Sequence, residues 1–406
     1  MARFGRKQSR QTMASANPLT KPLEGHNGTV MCLKRLVLLG LIAFAMLATT
    51  VNGQIDGDAR PLPTAPTFSL GLKDAFAGKF LIGTSGDVPK GYSDAELASI
   101  KANYNVVTPE NCMKPQSVHP SEDTFNWATP DAVVQWCQEN NIRVWGHTLV
   151  WHAQTPAWFF QGTDGQPITR ELAMERLSNH IMAEVGRYKG RVFGWDVVNE
   201  AINDAGNGGT ENLRNSNWYK AIGPDYLTLA FKWAHQADPQ AQLYYNDYNL
   251  EQGAVQNTGK HASSMLLLRR LLADGAPIYG VGIEGHWHLD TGIPDIEKAI
   301  ADYGSLGLKV CISELDMAIT RGNNGALNAG GGLAPVPAGA LDEQAEVYAK
   351  LFDVFNRHIN TVSRVTFWGI SDGRSWRRTQ SPLPFDAQLQ PKPAYKAILN
   401  LGFGQT

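Results

Sequence analysis

Between residue 70 and the carboxyl terminus, short apolar runs alternate with longer segments of helical period, and the alternation repeats eight times. The first four runs are FLIGTS (Phe80–Ser85), NVVTPEN (Asn105–Asn111), RVWGHTLVW (Arg143–Trp151) and FGWDVVNEA (Phe193–Ala201). The others are QLYYNDYNL (Gln242–Leu250), GVGIEGHW (Gly280–Trp287), KVCISELDM (Lys309–Met317) and RVTFWGI (Arg364–Ile370). Each is short, apolar and rich in β-branched or aromatic residues, which predicts a buried parallel strand. The intervening patterns predict helices, one opened by a capping box at Ser93–Glu96. Further helices are expected near Ala132–Glu139, Glu171–Tyr188, Tyr226–Gln236, Gln256–Ala273, Ile293–Tyr303 and Asp342–His358, and KPAYKAILN (Lys392–Asn400) closes the chain. Eight strand–helix units in roughly 335 residues predict one α/β domain, a (β/α)₈ barrel spanning residues 71–406. A doubly wound open sheet is the alternative, but no GxGxxG or GxxxxGK[ST] follows the first strand.

Polar residues crowd the ends of these strands, where a barrel gathers its chemistry on one face. The fourth strand ends in Asn199 and Glu200, and the seventh carries Glu314. Alternation along the fourth strand predicts Asp196, Val198 and Glu200 on one side, with Trp195, Val197 and Asn199 on the other. One strand-end carboxylate is often just an acid at a loop boundary. Two on parallel strands supply the acid/base and nucleophile of a glycosidase. Around them the second strand and its loop offer Glu110, Asn111 and Lys114, and the third offers His147 and Trp151, with His152 beyond. The sixth strand puts Glu284, His286 and His288 on one face and Trp287 on the other. The eighth brings Trp368 and, after a loop, Trp376.

The histidines do not take metal-ligand spacing, so no metal and no cofactor is expected. A serine nucleophile finds no GxSxG. Cys112, Cys137 and Cys311 are expected as buried thiols with one disulfide at most. Cys32 precedes the apolar run described next, so it is no lipid-bearing cysteine of a signal cleavage site.

Composition changes the picture mainly at the amino terminus. Residues 1–53 hold seven Lys or Arg against one acid, Glu24, while the remainder carries 29 basic and 37 acidic residues. That acidic balance argues against nucleic acid as a partner. Leu36–Ala48 is a thirteen-residue apolar run after Lys34 and Arg35. It is short for a membrane span and suits a secretory signal cleaved after Gly53, with a retained anchor as the rival. The polar thirty residues before Met31 place the expected true start at Met31. Residues 54–70, with Pro61, Pro63 and Pro66, are expected as a linker. Eleven Trp provide rings for core filling and for stacking on sugars.

Taken together, WDVVNE, GHTLVWH, ENCMKP, GHW, SELD and TFWGISDGRSW resemble the family ten glycoside hydrolases, the endo-β-1,4-xylanases, in the family's order from about Gly71 to Leu401. The resemblance implies an acid/base at Glu200 and a nucleophile at Glu314. It implies sugar contacts from Glu110, Asn111, Lys114, His147, Trp151, Asn199, Trp368 and Trp376. His286 is similar to the family's histidine on the nucleophile, and Asp316 to the acid that supports it. Where the family usually has Gln, two residues earlier, this chain has Glu284. An acid there is expected to stay protonated and to donate a hydrogen bond as the amide does. The implied reaction is retaining hydrolysis inside xylan or a xylo-oligosaccharide, by a secreted monomer without an obligate protein partner. Retention requires the two carboxyl groups about 5–5.5 Å apart. A barrel glycosidase acting on β-glucan or β-mannan, or a non-catalytic carbohydrate-binding barrel, are the other readings the sequence leaves open.

Overall fold

The structure is a computed structural model that describes residues 70–204, 209–320 and 336–404. The expected signal, Met31, Cys32 and the linker up to residue 69 lie outside the described residues. Strands β1 (Leu81–Ser85), β2 (Val106–Thr108), β3 (Arg143–Trp151), β4 (Val192–Asn199), β5 (Gln242–Asp247) and β6 (Gly280–Ile283) follow one another in the chain. They are followed by β7 (His286–His288), β8 (Lys309–Ala318) and β9 (Val362–Phe367). All pair in parallel, in the order β6-β5-β4-β3-β2-β1-β9-β8, and β6 also pairs with β8, which closes the ring. The short β7 continues the sixth position by pairing with β8, His286 opposite Asp316. The described residues therefore form the expected eight-position barrel.

The helices lie between the strands near the expected places, among them Asp94–Asn103, Arg170–Arg187 and Ala340–Arg357. Ser93 and Glu96 form the predicted capping box, each side chain taking the other's backbone N–H. A short helix at Asn217–Ile222 was not expected. Cys112, Cys137 and Cys311 are buried free thiols.

Two strands depart from the alternation expected of them. In β4 the pairing with β5 slips between Asp196 and Val198, so the chain gains a residue there. Asp196 reaches Trp145 Nε1 and His147 Nδ1, and Asn199 reaches Asn246, so Asp196 and Asn199 share a side although three positions separate them. The sixth strand is not continuous from Gly280 to Trp287. It breaks at Glu284–Gly285, where Gly285 takes φ +83° and a Cβ would meet Ile312 Cγ2 at 2.8 Å. Only glycine suits both demands.

Beneath the carboxyl-terminal mouth the barrel is filled. Trp145 meets Tyr244 edge-on at 4.8 Å, and the Arg364 guanidinium lies 4.1 Å from the Trp145 ring centre. The indole crosses to β4 at Gly194, where a Cβ would fall 2.2 Å from the ring. A cavity of about 300 Å³ at the other mouth, lined by Leu81, Arg143 and Gln242 among others, contains none of the expected site residues.

Candidate active site

Glu200 lies one residue past β4 with φ +53°, an uncommon conformation for a residue with a side chain. The turn is pinned on both sides. Its N–H donates to Asn246 O at 2.8 Å, and its carbonyl accepts from Arg214 Nε at 3.0 Å. Burial, and next the charge of Asp247, raise the Glu200 carboxyl to about 7. Near neutral pH it therefore holds a proton that it can release. His152 Nδ1 is 3.7 Å from Glu200 Oε2, and burial with the charges of Arg214 and Lys260 lowers this imidazole to about 4. The histidine beside the acid is neutral.

Glu314, on β8, is 6% exposed. Asn246 Nδ2 donates to its Oε1 at 3.0 Å, and His286 Nε2 lies 3.3 Å from its Oε2. Burial alone would raise this carboxyl. The His286 bond and the charges of His147, His286 and Lys114 outweigh it, and the net direction is down. His286 in turn is disfavoured as a cation by burial, yet Asp316 at 3.0 Å from Nδ1 and Glu314 hold it up at about 9. Asp316 is fully buried and also accepts from Trp376 Nε1 at 2.8 Å and Arg377 Nη1 at 2.6 Å. The His286 charge and bond first, then Arg377 and Trp376, hold its carboxyl down against its burial. The two glutamates, one just past the end of β4 and one within β8, thus differ in protonation through their surroundings, one neutral and one charged.

The other expected residues gather around this pair. Lys114 donates to Asn111 Oδ1 at 3.2 Å and lies 5.0 Å from the Trp151 ring centre. Glu110 is half-buried, and burial followed by the nearby Asp87 charge raises its carboxyl. Asp196 fixes His147 Nδ1 at 3.0 Å, which leaves Nε2 as the nitrogen for a ligand. Trp368 meets the His147 ring at 5.3 Å, and Trp376, 41% exposed, meets His286 at 4.9 Å. Asn199 Nδ2 lies 3.4 Å from Glu200 Oε1. His288 instead turns to the rim, on Asp290 at 2.5 Å.

Several contributors were not singled out from the sequence. Asn246, on β5, bonds Asn199 Oδ1 at 2.8 Å as well as Glu314, and takes a bond from Ser313 Oγ at 2.5 Å. Lys260 and Asp247 form a buried pair at 2.8 Å whose charges act on Glu200. Asn246 and Asp247 end an apolar run, the same signal that marked Glu200 and Glu314. The helix that carries Lys260 gave no such signal.

One group has the residue types of a cation site: Glu284, His286 and Glu314 bring ligand-type atoms within 4.8 Å of one another. Both nitrogens of His286 are already engaged, by Asp316 and by Glu314. A cation would have to break one of those bonds, so the residues do not fit a resident metal and the cluster is better described by shared protons.

A neutral acid facing an ionised one, with rings about them for flat ligands, is what cleavage between two sugars requires, and with the barrel it defines a glycoside hydrolase. The family model for glycosyl hydrolase family 10 matches residues 71–401, and the chain belongs to that family. Endo-1,4-beta-xylanase B of Paenibacillus barcinonensis is 37% identical over 337 residues, covering 81% of this chain and 97% of that relative. Endo-1,4-beta-xylanase A of Caldicellulosiruptor sp. (strain Rt8B.4) is 37% identical over 346 residues, covering 82% of this chain and 48% of that relative. The chain spans about half of the latter's length, and 32% of endo-1,4-beta-xylanase A of Thermotoga maritima. Among solved structures, xylanase XynB from Paenibacillus barcinonensis superposes with a TM-score of 0.74 at 36% identity, covering 82% and 99% of the two chains. The intracellular xylanase TsXylA of Thermoanaerobacterium saccharolyticum, a mutant in complex with xylotriose, gives 0.73 at 36% identity, covering 82% and 100%.

Proposed function

We propose that the protein is an endo-1,4-beta-xylanase that hydrolyses internal bonds of xylan with retention of configuration. The observation that carries this is the placement of two carboxyl groups at one barrel mouth, Glu200 just past β4 and Glu314 on β8, linked through Asn199 and Asn246. In the first step a Glu314 oxygen attacks the anomeric carbon, the glycosidic C–O bond breaks, and the Glu200 proton passes to the leaving oxygen. In the second, the Glu200 carboxylate takes a proton from water, whose oxygen displaces Glu314 from the anomeric carbon. Asn199 beside Glu200 bonds the 2-hydroxyl, an interaction that strengthens in the transition state. Glu110, Asn111, Lys114, His147, Trp151, Trp368 and Trp376 bind the sugars on the non-reducing side. The loop after β5, with Tyr248 and Asn249, serves the other side.

The test is reducing-sugar release from xylan beside carboxymethylcellulose and mannan, with the anomer formed followed by NMR. Fast release from xylan as the β-anomer, with oligosaccharides before xylose, is expected. Preference for either other polymer, or xylose alone from the start, would overturn the reading.

We further infer that residues 1–53 contain an export signal, that 54–70 form a linker, and that the secreted enzyme works as a monomer. The apolar run Leu36–Ala48 supports export. No helix among the described residues is long and apolar enough to cross a membrane. Amino-terminal sequencing of exported protein checks the first point, and a mature chain that begins before Met31 would contradict it. Size-exclusion chromatography checks the last.

A further inference from the structure

Three carboxyl groups share this buried site, and the reaction just described uses two of them. Glu284 directly follows β6 and is 3% exposed. It lies within 4.8 Å of Glu314 and His286 by its ligand-type atom. Two donors serve both acids, and both favour the same one. Asn246 Nδ2 is 3.0 Å from Glu314 Oε1 but 3.4 Å from Glu284 Oε1. His286 Nε2 is 3.3 Å from Glu314 Oε2 but 3.6 Å from Glu284 Oε2. When like charges this close cannot both form, the charge settles where the donors are nearer. That is Glu314, which leaves the proton on Glu284.

The other groups facing Glu284 agree. Asp247 at the end of β5, Glu200 past β4 and Glu314 on β8 are acids whose charges all oppose its ionisation. The bases are His286 on β7 and Lys260 on the helix Gly259–Ala273. His286 is committed to Asp316 and Glu314, and Lys260 to Asp247 at 2.8 Å. Burial first, then the Glu314 charge, raise the Glu284 carboxyl well above the ordinary range.

We propose that Glu284 is a positioning residue that enters the first chemical step as a neutral acid, and that its ionisation sets an alkaline limit on that step distinct from the limit set by Glu200. The proposal rests on the reading of Glu314 as nucleophile. An ionised Glu284 competes for the Asn246 and His286 donors that orient Glu314, so the nucleophile loses its alignment. The Glu314 ester formed in the first step carries no charge. Glu284 then loses one of the groups that hold its proton, and it ionises more readily in the intermediate than in the free enzyme.

On xylan the Glu200 limit is superimposed on this one, so the test uses a dinitrophenyl xylobioside, whose leaving group needs no proton from Glu200. The measurements are kcat/KM against pH for the parent and Glu284→Gln, and ¹³C NMR titration of glutamate-labelled protein before and after trapping with a 2-fluoro glycoside. The parent's kcat/KM should fall about tenfold per pH unit above its limit. One unit above that limit, Glu284→Gln should exceed the parent about tenfold, relative to their ratio at low pH. A carboxyl resonance absent from Glu284→Gln should titrate above the ordinary carboxyl range and move to lower pH once Glu314 is esterified. An identical alkaline limb in the two proteins, or a Glu284 resonance that titrates in the ordinary carboxyl range, would overturn the proposal. Retention of configuration on the same substrate, scored separately, decides the role of Glu314 whatever Glu284 does.

Discussion

One side-chain amide, that of Asn246, lies 3.0 Å from Glu314 Oε1 and 2.8 Å from Asn199 Oδ1. It therefore ties Glu314 to the strand end that carries Glu200. A hydrogen bond to a charged group contributes about 1.5–3 kcal/mol, which corresponds to roughly 10–100-fold in rate if it acts at the transition state. Asn246→Ala should lower kcat/KM on xylo-oligosaccharides by that range while the circular dichroism spectrum is retained. Unchanged kcat/KM would show that the amide does not align Glu314.

Glu314→Ala and Glu200→Ala should both lose most turnover on xylan, yet fail differently. Azide should restore activity to Glu314→Ala by attacking from the vacated face, giving a glycosyl azide of inverted configuration. Glu200→Ala should still form the intermediate quickly from an aryl xyloside with a good leaving group. If Glu200→Ala proved as inactive on that substrate as on xylan, Glu200 would not be the acid.

The pH profile on xylan follows from Glu200. Its folded carboxyl is held up to about 7 by burial and Asp247, and the first step needs the protonated form. Hydrolysis should therefore be lost as pH rises through about 7. Because the Asp247 charge, held by Lys260, helps to raise Glu200, Asp247→Asn should move this limb downward. A limb that stays in place, in a variant whose fold is intact, would disconnect the Asp247–Lys260 pair from the acid.

Stability offers a test away from the site. Glu184 is fully buried, and neither carboxyl oxygen has a hydrogen-bond partner, the nearest base being His180 Nε2 at 3.5 Å. Burial raises its carboxyl well above the ordinary range. In the unfolded chain it ionises at its ordinary pKa of about 4.3, so above that pH the folded state retains a proton that the unfolded state releases. Stability is lost as pH climbs through this window. Glu184→Met should gain about 1–3 kcal/mol at pH 7.5 and clearly less at pH 4.5, read from urea midpoints. An equal gain at both values would mean that the carboxyl does not titrate on unfolding.

The barrel was legible because buried parallel strands are apolar throughout and end abruptly in polar residues. Glu200 and Glu314 stood out by ending such runs, and Trp376 by its place in a motif. Side-chain facing was less legible. The slip in β4 that puts Asp196 and Asn199 on one side, and the Gly285 break beside Glu284, are single-residue irregularities that no period reveals. Asn246 ends an apolar run, but in NDYNL the pattern does not say which polar residue turns inward. The partner of His147, Asp196, depends on a pairing across strands, whereas Asp316, the partner of His286, is legible from its motif. His147 lies opposite Asp196 in the register of β3 with β4, and His286 opposite Asp316 in that of β7 with β8.

Asp316 accepts from His286, Trp376 and Arg377, which come from two separate segments of the chain. The exposed indole at the rim and the imidazole beside Glu314 therefore hang from one carboxylate. Replacing Trp376 removes a donor from Asp316, and the imidazolium then feels a less shielded anion. The hold on the Trp376 ring and the charge balance around Glu314 are therefore linked, and a change made in the first will be read out in the second.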